Sequence, residues 1–342
     1  MNRLNVIEEV KEPPKFKGLI KIDKNSNIPL LGMIHIGVLD RGSSLIQVRA
    51  STVCNMKCTF SSTAANSYDM HPYNYEVEFD YLLSWIKEII ELKDNKVNQI
   101  NIDSVGEPTA YPRIADLVKE VKKIPGIEIV TMQSNGTLLN KEKIKALEEA
   151  GLNRINLSIH SLVQDQSKTL FGSNNYNLDR ILEACKIINE SKIELNLTPV
   201  YLPGINDEQI EKLIEFAKEL NCKISIQKYE IYRYSRKEKK VKTQNWFKFY
   251  RKLGELEKKH NYKLKLGPTD FKILRSKKVP LVFNRGDFIV AEVVMPGWMK
   301  NEVIARANNR AITIVDSNAK IGDKIKVKIL ETKDSIYIAK KY

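Results

Sequence analysis

A chain of 342 residues with 42% hydrophobic positions, 15 glycines and 12 prolines has enough apolar material for a real core, which excludes a disordered or collagen-like chain. No run nears the roughly 18 apolar residues of a spanning helix, the opening stretch to Lys17 is charged, and four cysteines are too few for a disulfide scaffold, so a cytoplasmic globular protein off the membrane is expected. The formal charge of +14 is uneven: residues 1–221 hold 26 Lys and Arg against 30 Asp and Glu, and residues 222–342 hold 30 against 12, a local balance of +18 that suits a polyanionic partner.

After a polar extension over 1–43, β-type runs alternate with helical periodicity, the pattern of a parallel α/β sheet or barrel. Strands are predicted at 46–53, 99–105, 128–133, 154–160, 194–202 and 223–231, and helices at 81–93, 113–123, 141–149, 178–189, 207–220 and 246–261. Six such units over 44–263 make an incomplete barrel or an open twisted sheet. Gly267, Pro268 and Pro280 then break the pattern, so 264–283 reads as a linker. Short strands expected at 288–295, 302–307, 311–315, 324–330 and 335–339 suit a small antiparallel β-barrel over 284–342, OB-like in kind, a class that often binds oligonucleotides.

Chemistry concentrates after the first strand of the alternating region, where βα loops build active sites. Cys54 and Cys58 put two thiols in one compact loop, and a third thiol three residues later would complete three corners of an iron-sulfur cube with one iron open. That position holds Ser61. Alone, the two cysteines could be buried thiols, Asn135-Gly136 a turn, Ser158 and His160 satisfied strand-end polar groups, and Glu107 an N-cap; their ordered placement at successive strand ends lifts them together. Cys185 and Cys222 stand apart and read as buried small hydrophobes.

The loop with its aromatic Phe60, followed in order by Gly106-Glu107-Pro108, Ser134-Asn135-Gly136-Thr137 and Ser158-Ile159-His160, resembles the radical S-adenosylmethionine (SAM) superfamily over about residues 44–232. The resemblance implies a partial (β/α)6 TIM-like barrel, a [4Fe-4S] cluster and SAM as cofactors, a 5′-deoxyadenosyl radical as oxidant, and an electron donor such as a ferredoxin or flavodoxin. It places Cys54, Cys58 and Ser61 at the cluster, and Phe60, Gly106, Glu107, Pro108, Ser134, Asn135, Ser158 and His160 around SAM. Glu107 would accept hydrogen bonds from the SAM amino group and contribute little to the core. Ser61 departs from the superfamily's cysteine: the chain is either an altered form of an enzyme with cysteine there, which the intact pocket favours, or a lineage that has lost the cluster.

The last sixty or so residues resemble a TRAM domain, carried by Arg285-Gly286-Asp287-Phe288-Ile289-Val290 and Ile321-Gly322-Asp323-Lys324-Ile325-Lys326. RNA contacts are expected from Lys237, Lys239, Lys240 and Lys242 and, on the barrel, from Lys300, Arg306, Arg310 and the stacking surface of Trp298, a ring that could equally belong to a core. The expected function is radical SAM modification of RNA, with tRNA preferred. The alternatives are a radical SAM enzyme acting on a peptide or small metabolite, and a catalytically silent RNA-binding protein.

Overall fold

The computed structural model describes residues 6–7 and 18–342. In the first part of the chain, β1 (Val6–Ile7), β2 (Gly18–Ile22), β3 (Gly37–Asp40), β4 (Leu45–Arg49) and β5 (Tyr73–Val77) precede α1 (Phe79–Leu92). Glu78 starts α1 by accepting the Asp80 and Tyr81 N–H groups, and Leu82, Trp85, Ile86, Ile89 and Ile90 form its buried stripe at helical spacing. There follow β6 (Gln99–Ile102), α2 (Ile114–Lys122), β7 (Ile129–Ser134), α3 (Lys141–Glu149), β8 (Arg154–Leu157), α4 (Gln164–Phe171), α5 (Leu178–Glu190), β9 (Glu194–Leu197) and β10 (Val200–Tyr201). The region closes with α6 (Asp207–Glu219), β11 (Lys223–Ile224), β12 (Gln227–Lys228) and α7 (Trp246–His260).

The main sheet runs β3-β4-β6-β7-β8-β9-β11; β3 is antiparallel to β4 and the other six strands are parallel. The six expected parallel strands therefore form one sheet in sequence order, the partial barrel of an α/β fold. Along the strands Ile100, Ile102, Val130, Met132, Ile155, Leu157, Leu195 and Leu197 are buried and apolar. The alternate positions are polar and bond across neighbouring strands: Thr131 Oγ1 donates to Asn101 at 2.7 Å, and Asn196 Nδ2 to Asn156 at 2.8 Å. Period-two alternation thus gives the sheet one face for helices and one polar face, and Gln133 and Thr198 on the polar face reach the cavity described below.

The extension is part of this body. β2 pairs with β5, and β3 extends the main sheet beyond β4, so the strand order begins before residue 44. Residues 264–283 are strapped to the main domain: Gln99 Nε2 donates to the Phe271 and Lys272 carbonyls, and the buried ion pair of Lys93 and Asp40, 2.7 Å apart, takes the Val279 N–H on its other carboxylate oxygen.

A closed barrel follows, built from β13 (Phe288–Pro296), β14 (Val303–Ala307), β15 (Arg310–Val315), β16 (Lys324–Glu331) and β17 (Ile338–Lys341) in the order β13-β14-β15-β17-β16. All five expected strands exist. The barrel is not wholly antiparallel, because β15 and β17 run parallel. Ala291, Val293, Ile312, Ile314, Val327 and Tyr337 are among its own core residues, yet Met295, Trp298, Ile304 and Ala311 belong to the core of the main domain. Gly32 allows this docking. Its φ is +124°, a side chain there would meet the Ala311 carbonyl oxygen at 2.0 Å, and the flanking backbone bonds Ala311 and Tyr337 directly.

Candidate active site

The loop after β4 is held from three sides before any ligand is considered. Lys57 and Thr59 donate their N–H groups to the Phe171 and Leu170 carbonyls at the end of α4, at 3.0 and 2.9 Å. Asn66 Nδ2 bonds the Cys54 and Met56 carbonyls, and Asn55 is tied to Asn135 and Thr137 beyond β7. Arg236 closes the third side: its guanidinium donates to the Cys58 and Ala65 carbonyls at 2.7 and 2.8 Å, and its N–H to the Ser61 carbonyl at 2.8 Å. Arg236 escaped the sequence reading because it sits at the edge of a lysine run with no motif to mark it.

Cys54, Cys58 and Ser61 line one cavity of about 330 Å³ with Phe60, Gly106, Glu107, Pro108, Ser134, Asn135, Ser158 and His160. Every residue expected at the cluster and around SAM is therefore brought to a single place. Gln133, Thr198, Gln227, Lys228, Tyr229, Glu230 and Tyr232 also line it and were not singled out in the sequence. Gly106 is needed for contact between the loops, since a Cβ there would lie 2.3 Å from the Val53 carbonyl oxygen.

Burial pushes the Cys54 thiol up to about 11 and the Cys58 thiol up to about 12, so both are neutral until a metal displaces their protons. Ser61 Oγ faces Thr63, 3.2 Å from its hydroxyl and 3.3 Å from its N–H. The donor set fits an iron-sulfur cluster at two corners with soft thiolates, and at the third offers an oxygen, a harder and weaker ligand for that iron.

Glu107 corrects an expectation. Rather than a strand-end carboxylate free for ligand, it is 1% exposed, and its oxygens accept from Thr109 N–H (3.1 Å), Thr109 Oγ1 (2.5 Å), Ser134 Oγ (2.8 Å) and Asn135 N–H (2.7 Å). Burial holds its pKa above the usual carboxylate range, an effect these hydrogen bonds only partly oppose. Glu107 is thus a structural hub as well as a cavity wall. Glu107→Ala should strand these donors and cost about 3 kcal/mol of stability, whereas Glu107→Gln should cost less by keeping one acceptor oxygen. Thermal unfolding of the two variants checks this; an Ala variant as stable as the parent would contradict the hub.

His160 stacks edge-on to Phe60 with ring centroids 4.6 Å apart, and burial lowers its pKa to about 3. The Val200 N–H donates to its Nδ1 at 3.0 Å, which puts the proton of the neutral ring on Nε2. Ser158 Oγ accepts from Gln133 at 3.1 Å.

The residues expected to touch RNA separate. Lys237, Lys239, Lys240, Lys242 and Lys300 are exposed, and Arg306 is half-buried and paired with Glu292. Trp298 and Arg310 are 4% exposed. Trp298 stacks with the rings of His71 and His35, and Arg310 bonds the Asn309 and Pro280 carbonyls, so neither offers a surface for RNA.

A family profile described as the Radical SAM superfamily matches residues 48–217. An uncharacterized protein of Methanocaldococcus jannaschii is 38% identical over 92% of this chain and 79% of its own length. A GTP 3′,8-cyclase of Aquifex aeolicus is 27% identical over 56% of this chain and 58% of its own. The crystal structure of Streptococcus suis SuiB bound to precursor peptide SuiA is similar in fold, with a TM-score of 0.50 and 20% identity over 67% of this chain and 50% of that one. The chain therefore spans only about half to three-fifths of the cyclase and of SuiB.

Proposed function

Since the chain belongs to the radical SAM superfamily, whose cofactors are a [4Fe-4S] cluster and SAM, we propose that it is an enzyme that modifies RNA, with tRNA the preferred substrate. It would act in the cytoplasm with a ferredoxin or flavodoxin as electron donor; among the described residues no helix is long and apolar enough to cross a membrane. The cluster, when bound, supplies the electron that cleaves SAM. The chain's own residues would do the holding: Cys54 and Cys58 would ligate the cluster, with Ser61 in the third ligand position. Glu107, Ser134 and Asn135 would line the SAM site beside Gly106 and Pro108, together with Phe60 and His160, whose rings pack against each other. Ser158 and Gln133 keep the polar floor in register.

The observation that carries the RNA reading is charge placed beside chemistry. The segment that contributes Arg236 to the loop after β4 continues directly into Lys237, Lys239, Lys240 and Lys242, all exposed. The closed barrel, which we read as a TRAM-like module, adds exposed Lys300, Lys324, Lys326 and Lys328. Full-length protein should bind tRNA with a log-log salt slope of roughly −0.7 to −0.9 per phosphate neutralised. Replacing the four lysines of 237–242 by glutamine should weaken binding and flatten that slope. Fluorescence anisotropy across a salt series checks both. A flat salt response in the parent protein would mean that the charge serves solubility and that the substrate is not RNA.

A further inference from the structure

Helix α7 buries Phe249, Leu253 and Leu256, as an amphipathic helix should, but its first turn does the opposite. Trp246, Phe247 and Tyr250 are 54%, 74% and 45% exposed. The rings of Trp246 and Tyr250 stack at 5.7 Å and 27°, which presents aromatic faces to water side by side. The other two tryptophans, Trp85 and Trp298, are 5% and 4% exposed, so this display is peculiar to the site.

Two further observations say what the display meets. Residues 233–252 contain nine Lys and Arg against one acid, Glu238. Lys228 links the display to the cavity: its Nζ stands 4.9 Å from the Trp246 ring and 2.6 Å from Glu230, and Lys228 and Glu230 line the cavity wall with Tyr229 and Tyr232. Arg233 and Arg251 are paired with Glu302 and Glu255, whereas Lys237, Lys239, Lys240, Lys242 and Lys248 are exposed, and aromatic faces among exposed lysines beside an active-site mouth match a strand that offers both bases and phosphates. A duplex would hide its base faces, and a bilayer could not follow the surface into the cavity. The inner stripe of α7 is also already committed to the core, so what it exposes is a short aromatic cluster at its start rather than a whole apolar face to lay on lipid.

We propose that Trp246, Phe247 and Tyr250 form a stacking platform for unpaired bases of an RNA strand whose phosphates are gripped by the lysines between 237 and 248, feeding the strand past Lys228 into the cavity. The platform rests on the RNA reading above and specifies that the docked segment is single-stranded.

Trp246 is the one exposed tryptophan, so its emission reports stacking directly. With the full-length chain, fluorescein-labelled oligoadenylate should bind more tightly than the same sequence in duplex, with quenching of tryptophan emission. Phe247→Ala combined with Tyr250→Ala should lower oligoadenylate affinity about tenfold or more, with the melting temperature and salt slope unchanged, because stacking is lost and the phosphate contacts stay. Trp246→Phe should retain most of the affinity that Trp246→Ala loses. If the double variant binds oligoadenylate as the parent does, the platform is wrong while the RNA reading stands. If the parent binds neither RNA at low salt, both fall. Binding of phosphatidylserine vesicles that the double variant abolishes, without RNA binding, would reassign the surface to lipid and overturn the proposal.

Discussion

Ser61→Cys, purified and reconstituted without oxygen, should bind about four irons per chain and turn brown, while the parent protein holds appreciably less. Cysteine differs from serine here by one atom, and the backbone that carries it is fixed by bonds that do not involve the side chain: the Ser61 carbonyl accepts from Arg236, and the Ser61 N–H donates to the Cys58 carbonyl. The substitution removes only the contacts of Ser61 Oγ with Thr63 and supplies a third thiolate donor at a wall shared with Cys54 and Cys58. A hydroxyl must lose a proton far less acidic than a thiol's to become an anionic ligand, and iron prefers the softer sulfur. Iron analysis and the visible absorption spectrum read the outcome. Equal, substoichiometric iron in parent and variant would remove the cluster from this loop altogether.

The parts of the fold legible in the sequence are those set by local pattern. All six expected helices and six parallel strands exist, because each carries its own periodicity and some helices, such as α3 after Asn140 and α5 after Asn177, carry their own cap, although α2 and α6 have none. The elements that went unread are short or weakly patterned. β3 is buried at all four positions and so shows no alternation, and α4 buries only Ser167, Leu170 and Phe171. α4 matters nonetheless, since its last carbonyls anchor the cluster loop. The parallel pairing of β15 with β17 is a property of barrel closure, which no local window of sequence contains.

The site divides along the same line. Strand-end motifs carried Cys54, Cys58, Gly106, Ser134 and His160 to one cavity because the sheet keeps sequence order, so successive strand ends are neighbours in space. What the motifs did not reveal is the support behind them: Arg236 on the cluster loop, and the four donors that make Glu107 a hub. These depend on contacts between segments far apart in the chain. Trp298 is the clearest case. Its neighbours in sequence, Gly297 and Lys300 among them, suggest an exposed loop on a basic barrel, and only the position of His35 and His71 decides that the ring is buried.

Trp298→Ala should accordingly be the most destabilising single change in the barrel. The ring is 4% exposed, lies parallel to His71 at 4.1 Å and to His35 at 5.5 Å, and meets Tyr234 at 5.4 Å. Removing a buried tryptophan typically costs about 3–5 kcal/mol, which for a body of this size lowers the melting temperature by about 4–7 °C. The loss should reach the active site, because His71 spans from the Trp298 carbonyl at 3.1 Å to the Thr63 carbonyl at 2.9 Å, two residues beyond Ser61. Acid titration distinguishes this packing role from a general loss of fold. Burial lowers the His35 pKa from 6.5 to about 3, so the native state binds fewer protons than the unfolded chain between those values. Stability from His35 is then full above pH about 6.5 and is lost as pH falls toward about 3. Without the indole, water reaches His35, its folded pKa moves back toward the ordinary value, and the acid-side decline should become shallower. A Trp298→Ala protein that melts like the parent with the same acid profile would place the indole outside the core and return it to the barrel surface.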